Sequence, residues 1–283
     1  MTYFESVEKL DEAMSLSNSE AVYILKPNIF LHEYDSLLKS FKHYYNRSNI
    51  AYSFKTNYIP DLLNIVKNKG GYAEVVSIME LQLALEIGFE PTRIFFNGPF
   101  KHRQQTVEYL RQGVLVNVDS LDEFMWINTV ANEEKIHCRI GIRLNFNFSK
   151  NSSRFGIDIN SHEITSILNE VYNSTYVSLE SLHYHYAARD IKTWSECTYA
   201  FISFISSFDQ AILHNIRYIS LGGGIFSDMS PYLKEQIGNK IPTFADYAEN
   251  SIKLLSSFLD RSEVNLSKKT EVLIEPGTAL AAK

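Results

Sequence analysis

Short apolar runs rich in Val, Ile, Phe and Tyr recur along this chain, and segments of helical periodicity separate them. This alternation is typical of a parallel β-sheet whose strands are connected by helices. Eight such runs predict a (β/α)₈ barrel, because the chain is close to the roughly 250 residues typical of that fold. A doubly wound open sheet is the main alternative. The predicted strands are Asn49–Asn57, Tyr72–Ser77, Arg93–Gly98, Leu115–Ser120, His137–Asn145, Val177–Tyr186, Tyr218–Gly224 and Glu271–Gly277.

The segments between these strands predict helices, some with Pro at the start or Gly at the end. Residues 1–48 predict an N-terminal strand, Ala21–Lys26, and a helix that packs on a barrel formed by residues 49–283. The chain stops directly after the eighth strand with no final helix, so we expect that part of the protein is missing. The predicted helices are Pro60–Lys69, Ile78–Gly88, His102–Gly113, Leu121–Asn132, His162–Asn173, Ile191–His214 and Phe244–Asp260.

The composition excludes several classes of protein. The chain has 283 residues, of which 45% are hydrophobic and 21% charged, as in soluble globular proteins. A net charge of −6 without a basic run argues against a nucleic-acid partner. No apolar stretch approaches the about 18 residues of a membrane helix. Cys138 is predicted to be a core residue of the fifth strand and Cys197 to lie on a helix face. Two cysteines cannot form a disulfide framework, and together with the absence of a signal sequence this predicts a cytoplasmic location.

Polar side chains stand near the carboxyl ends of seven of the eight predicted strands, and a run of three glycines ends the other. In a (β/α)₈ barrel these ends form one mouth, where functional side chains gather. We therefore expect a ring of polar groups facing a single site. The members are Lys55, Glu74 with Ser77, Asn97, Asp119, Arg143 with Asn145, His183 with His185, the run Gly222, Gly223 and Gly224, and Glu275.

Lys55 follows the apolar segment Ala51–Phe54, where a charged side chain is costly unless it is paired or neutralised. It is either a lysine that extends to solvent or an amine that forms a Schiff base with an aldehyde. Gly222, Gly223 and Gly224 either form a simple tight turn or let backbone N–H groups approach an anion, since barrels often hold phosphate after strands seven and eight.

Glu275 ends an apolar strand directly before a turn, so its carboxylate needs a cationic partner. A protonated pyridine nitrogen or a barrel lysine or arginine would serve. His183 and His185 alternate along one strand and therefore point to the same face. No metal site is predicted, because no cysteine or carboxylate lies at a zinc-ligand spacing from them; stacking or hydrogen bonding is favoured.

An aldehyde-binding lysine, a glycine-rich phosphate loop, a carboxylate for a ring nitrogen and a histidine for a ring face fit one cofactor, pyridoxal 5′-phosphate. The chain resembles the fold-type III pyridoxal-phosphate decarboxylases, which act on diaminopimelate, ornithine or arginine. The matching motifs occur in family order from about residue 20 onward. They are Ala51–Asn57, Glu74–Ser77 with Glu80-Leu81, Phe96–Pro99, Val118–Ser120, Arg143–Asn145, Ser153–Gly156, Leu182–His185, Leu221–Gly224 and Ile274–Gly277.

This resemblance implies an alanine racemase-like barrel in which Lys55 carries the cofactor and Glu74 lies close to it. It further implies that His185 stacks on the cofactor ring and that Glu275 holds the pyridinium nitrogen. The implied reaction is decarboxylation of a basic or diamino acid by a homodimer with a shared active site.

The resemblance also assigns Gly222–Gly224 to the phosphate and Arg143 to the active site. Two positions depart from the family pattern. Ala188 stands where the family usually has Ser, and Thr278 where it usually has Arg, so a hydroxyl and a bidentate cation for the phosphate are lost. The single hydroxyl of Thr278 is expected to replace that arginine.

The family continues into a C-terminal β-domain that this chain lacks, and we expect the chain alone to bind cofactor weakly and to turn over little substrate. Two alternatives stay open. One is a non-catalytic or regulatory homologue of such a decarboxylase. The other is a racemase or a cofactor-carrier barrel of the same superfamily.

Overall fold

The computed structural model describes residues 25–146, 153–208, 210–227, 229, 231–237, 241–261, 266 and 268–281, together with 11, 14 and 15. Eight parallel strands form a barrel, which closes because β4 pairs with β5 and β1 pairs with β9. The strands are β1 (Ser48–Ser53), β2 (Tyr72–Val75), β3 (Ile94–Phe96), β4 (Leu115–Val118), β5 (Cys138–Asn145), β6 (Ile157–Asp158), β7 (Val177–His183), β8 (Tyr218–Ser220) and β9 (Glu271–Ile274). The predicted (β/α)₈ barrel is confirmed, and the open doubly wound sheet is wrong; β6 is a short addition that pairs with β5 outside the barrel.

Helices surround the barrel. Two predicted helices are each divided into two shorter ones, and a short helix follows β9 where none was expected. The helices are α1 (Pro27–Lys42), α2 (Pro60–Asn68), α3 (Ile78–Ile87), α4 (Arg103–Arg111), α5 (Leu121–Glu134), α6 (His162–Asn173), α7 (Ile191–Ile205), α8 (Gln210–Leu213), α9 (Pro231–Ile237), α10 (Phe244–Glu249), α11 (Ile252–Leu259) and α12 (Thr278–Ala281).

The break between α10 and α11 has a local cause. Asn250 and Ser251 are poor helix formers, and Ser251 leaves the helical region with φ −135° and ψ −77°. Its hydroxyl instead donates to the Tyr247 carbonyl oxygen at 2.6 Å. The hydrophobic period continues through this break, which is why the pattern alone predicted one helix.

Helix α1 takes the outer position beside β1, where it contacts α2, α10 and α12. Its buried face consists of Phe30, Tyr34, Leu37 and Phe41, which join the same hydrophobic core as the barrel helices. The helix expected before the first strand is therefore present. Residues 21–24 of the expected N-terminal strand lie outside the described residues, and the division at residue 48 stays a prediction.

The inward side chains change character along each strand. Because side chains alternate with a period of two, residues two apart share a face. Tyr72 contributes to a buried apolar cluster inside the barrel, whereas Glu74 reaches the mouth on the same face. Leu273 and Glu275 repeat this arrangement on β9. The barrel thus has an apolar floor and a polar mouth, as the strand-end residues predicted.

A buried ion pair connects the segments that follow β3 and β4 on the mouth side of the barrel. Lys101 Nζ lies 2.9 Å from Glu123 Oε1 and also donates to the carbonyl oxygens of Gly98 and Asn117. Burial lowers the pKa of Lys101 and raises that of Glu123, so each charge depends on the other for compensation. The pair fixes the loop after β3 against the start of α5.

We expect Lys101→Met to lower the free energy of unfolding by about 3–5 kcal/mol, because it leaves Glu123 buried without a counter-charge. Urea denaturation measures this change. Lys253→Met is the matched control, since Lys253 forms an exposed pair with Glu249, and it should cost less than about 1 kcal/mol. Equal losses in the two variants would contradict the structural role of the Lys101 pair.

Candidate active site

The polar mouth encloses a cavity of about 700 Å³. Seven of the residues predicted for the polar ring line it, on six different strands or the turns that follow them: Lys55, Glu74, Asn97, Arg143, His183, His185 and Glu275. Ser77, Asp119, Asn145, Gly222–Gly224 and Thr278 are not part of this lining. The other lining residues are Val76, Pro99, Ser153, Arg154, Phe155, Tyr186, Ala187 and Ala188.

Lys55 and Glu74 form the first pair in the cavity. Lys55 lies in a 3₁₀ turn, Phe54–Thr56, directly after β1, and its side chain is 48% exposed. Its Nζ lies 3.4 Å from Glu74 Oε2, while Ser53 Oγ donates to the same oxygen. The Glu74 side chain is only 1% exposed. An accessible amine is therefore held beside a buried, anchored carboxylate.

Glu275 is held by donors from three other strands or their ends. Its Oε1 accepts from Asn97 Nδ2 at 3.0 Å and from Ser220 Oγ at 2.7 Å, and its Oε2 accepts from His183 Nε2 at 3.1 Å. Burial raises the pKa of this carboxyl, but His183, His185 and Ser220 together outweigh burial and hold the pKa well below its usual range. Glu275 is therefore an anion held by hydrogen-bond donors, and among the described residues no lysine or arginine lies at ion-pair distance from it.

His185 is fixed as a neutral ring. Its Nδ1 accepts the Gly223 N–H at 2.9 Å, so the ring proton sits on Nε2. Burial lowers the pKa of His185 to about 3, which keeps the imidazole uncharged at neutral pH. His183 and His185 both line the cavity, as their alternation predicted. They have different partners, because His183 contacts Glu275 and His185 contacts the glycine loop.

The glycine loop follows β8 and packs tightly against neighbouring strand ends. A Cβ on Gly223 would lie 2.4 Å from the Glu275 carbonyl oxygen, and one on Gly224 would lie 2.7 Å from that of Tyr186. Gly224 also has φ +90°, a conformation that favours glycine. The loop can therefore consist only of glycines, and one of its N–H groups orients His185.

Arg143 faces the cavity between an acid and an aromatic ring. Its Nη1 lies 3.5 Å from Asp119 Oδ1, and its guanidinium lies 4.9 Å from the Phe155 ring centroid. Thr278 instead sits at the start of α12, where its Oγ1 accepts from Arg189 Nη2 at 3.3 Å. Sequence reasoning did not single out Arg189; the only signal was its position directly after Ala188.

Neither cysteine belongs to the site. Cys138 and Cys197 are buried, and burial raises their pKa values to about 11 and about 12. Within the described residues, no three His, Cys, Asp or Glu side chains converge as metal ligands. In the same residues no helix is long and apolar enough to cross a bilayer.

Comparison with known proteins connects this geometry to a family. Residues 31–282 match the family described as pyridoxal-dependent decarboxylase, pyridoxal binding domain. The chain belongs to this family. Its cofactor is pyridoxal phosphate, as the resemblance of the motifs implied.

Curated relatives include the diaminopimelate decarboxylase of Methanocaldococcus jannaschii, which is 24% identical over 92% of this chain and 61% of its own length. Among solved structures, diaminopimelate decarboxylase from Helicobacter pylori, complexed with L-lysine, is similar with a TM-score of 0.78, 22% identity and coverage of 95% of this chain and 66% of that one. The arginine decarboxylase of Paramecium bursaria Chlorella virus, bound to agmatine, is similar with a TM-score of 0.72 and 16% identity. The match covers 96% of this chain and 68% of that one. These two likenesses show the shared fold. The chain spans about three fifths of the length of such relatives.

The residues present fit the cofactor of the family. The accessible amine of Lys55 can bond its aldehyde, and the buried anion Glu275 can face a protonated ring nitrogen. Glu74 Oε1 and His183 Nδ1 are buried polar atoms without a hydrogen-bond partner among the described residues, and both residues line the cavity. Such atoms are rarely left unpaired, which supports a polar ligand in this cavity.

We expect the His185 imidazole to stay neutral, with its proton on Nε2, down to about pH 4. Its folded-state pKa of about 3 lies below the ordinary 6.5, so its contribution to stability is present above about pH 6.5 and is lost as the pH falls towards 3. Nitrogen-15 chemical shifts of the ring, assigned with His185→Asn, measure the protonation. A ring that titrates near pH 6.5 would contradict the buried, neutral assignment.

Proposed function

We propose that this barrel catalyses the pyridoxal-phosphate-dependent decarboxylation of a basic or diamino acid. The observation that carries the proposal is the meeting of an accessible lysine, Lys55, and a buried anionic carboxylate, Glu275, in one cavity of a protein of this family. Pyridoxal phosphate supplies an electron sink for the electrons released when the carboxylate is lost as CO₂.

Lys55 is the residue to which the cofactor aldehyde bonds. Its Nζ has the exposure needed to reach a ligand, and Glu74 keeps the nitrogen on the cavity side of the turn. Ser53 donates a hydrogen bond to the Glu74 carboxylate and fixes its position, and this carboxylate in turn positions the Lys55 amine. A positioned amine of this kind is the requirement for covalent catalysis by lysine.

Glu275 keeps a ring nitrogen protonated. A carboxylate is suited to this only if it is ionised, and the hydrogen bonds from Asn97, Ser220 and His183 stabilise that form. His185 offers a neutral, oriented ring face, which suits stacking on an aromatic cofactor without adding charge. Arg143 is assigned, as the resemblance implies, to cofactor binding.

The basic-substrate class rests on relatives. One is named diaminopimelate decarboxylase, a similar structure holds L-lysine and another holds agmatine, and all of these ligands or substrates carry an amino or guanidino group. The homodimer with a shared site and the cytoplasmic location stay predictions.

Borohydride reduction in the presence of pyridoxal 5′-phosphate tests the role of Lys55. We expect mass spectrometry to find the pyridoxyl adduct on the peptide that contains Lys55, because this amine lines the cavity. Lys55→Ala should abolish the adduct. Lys69→Ala, which removes an exposed lysine paired with Asp35, is the matched control and should keep it.

An adduct on another lysine, with Lys55→Ala labelled as strongly as the wild type, would overturn the assignment. No adduct on any lysine would favour the non-catalytic homologue, for which the loss of the usual Ser and Arg at positions 188 and 278 is the supporting observation.

Glu275→Gln should lower kcat by about 100-fold or more in the longest natural form of the protein. The same variant should change the dissociation constant of the cofactor far less, since a ring-nitrogen charge matters most when charge develops in the transition state. Glu271→Gln is the control: Glu271 lies at the opposite end of the same strand and accepts from Tyr72 Oη. Equal losses in turnover and binding would show that Glu275 is only a structural partner of His183.

A further inference from the structure

Arg189 lies beside the glycine loop, and no described acidic side chain pairs with it. Within the described part of the chain, no carboxylate lies at ion-pair distance from its guanidinium, and its one hydrogen-bonded side-chain partner there is Thr278 Oγ1, at 3.3 Å. Thr278 follows the Glu275-Pro276-Gly277 turn at the end of β9. The arginine therefore reaches from the segment after β7 to the segment after β9.

A tyrosine fixes the position of Arg189 relative to the glycine loop. Tyr247 Oη donates to the Arg189 carbonyl oxygen at 2.5 Å and accepts from the Phe226 N–H at 3.3 Å. The Arg189 guanidinium lies 5.3 Å from the Phe226 ring centroid, two residues beyond Gly224. The backbone and the side chain of Arg189 are thus both held close to Phe226, at the C-terminal end of the glycine loop.

Hydrogen-bond donors without acceptors lie in the same loop. Neither the Gly224 nor the Ile225 backbone N–H has an acceptor among the described residues, although Ile225 is buried. Buried backbone N–H groups are rarely left unpaired, so a ligand with acceptor atoms is the expected partner. A Cβ on Gly224 would lie 3.0 Å from the Ala188 carbonyl oxygen, and Ala188 lines the cavity, so the Gly224 end of the loop lies close to the cavity wall.

We propose that Arg189 binds the phosphate of the cofactor in this protein. The proposal rests on the proposed function, because it needs pyridoxal phosphate in the cavity. A phosphate dianion requires a counter-charge, and a guanidinium meets it with two parallel hydrogen bonds. Arg189 supplies that charge from the segment after β7, while the Gly224 and Ile225 N–H groups and the Thr278 hydroxyl supply neutral donors. The cation that is lost at position 278 is thereby replaced from position 189.

The test compares two ligands that differ only in the phosphate, pyridoxal 5′-phosphate and pyridoxal. Dissociation constants are measured by absorbance titration and calorimetry for the full chain and its variants. We expect Arg189→Gln to weaken pyridoxal 5′-phosphate by about 10–100-fold, as for the loss of a charge-assisted hydrogen bond. Binding of pyridoxal should change by less than about twofold, and added salt should reduce the difference between the two ligands.

Arg261→Gln is the matched control. Arg261 lies after α11, 5.9 Å from the Phe258 ring, so this variant makes the same change of charge and removes a similar ring contact away from the cavity. It should leave both dissociation constants unchanged. Arg189→Lys keeps the charge but not the bidentate geometry and should give a smaller, still phosphate-specific loss. Circular dichroism checks folding, and Arg189→Lys provides the test if Arg189→Gln does not fold.

Equal changes for the two ligands, or none for either, in a folded Arg189 variant would overturn the proposal. This result differs from failure of the proposed function, in which borohydride traps neither ligand on Lys55 of the wild type. A wild-type protein that binds neither ligand would overturn both.

Discussion

The closed ladder of parallel strands is the constraint on which the site depends. Closure gives each barrel strand an inside and an outside, and the two-residue period then decides which side chains meet at the centre. Inward-pointing polar side chains at the carboxyl ends of the strands therefore face one another across the mouth of the barrel. Lys55, Glu74 and Glu275 are spread over more than 200 residues of sequence, yet they share one cavity because each ends an inward-facing row.

Bringing these groups together has an energetic consequence, because a buried carboxylate is unfavourable without hydrogen bonds. The Glu275 carboxylate is stabilised by three hydrogen-bond donors, one each from the ends of β3, β7 and β8. Asn97 is itself positioned by Asn117 Nδ2 at 2.5 Å, and the Asn117 carbonyl oxygen is held by Lys101. A chain of contacts thus runs from the Lys101–Glu123 pair to the central carboxylate. The position of the Glu275 carboxylate therefore depends on contacts among the segments that follow β3 and β4.

Much of this arrangement was accessible from the sequence. Apolar runs that alternate with helical segments define the barrel, and the charged residue at the end of such a run, as at Lys55 and Glu275, marks the mouth. The same pattern could not assign different partners to His183 and His185, since it places both on one face and says nothing about distances. The break at Asn250 and Ser251 was hidden because the hydrophobic period continues through it.

Arg189 was missed for a different reason. It lies in an irregular segment, where no periodicity predicts the direction of a side chain, and its partner Thr278 is 89 positions away. Only the folded chain shows that the Arg189 side chain reaches Thr278 and donates a hydrogen bond to it. A comparison of sequences one position at a time cannot detect that a residue at one position compensates for a change at a distant one.

Helix α1 and the β1–β9 pairing have a further consequence for how this molecule folds. Tyr45 Oη donates to the Thr270 carbonyl oxygen across 225 positions of sequence, and α1 packs against α12. The ring therefore closes only through contacts between opposite ends of the described chain. Such contacts form late and slowly, because a long loop must first be ordered. During synthesis, the β1 edge that faces β9 stays unpaired until β9 has left the ribosome, so the growing barrel presents an open sheet edge while all the residues between these two strands are made.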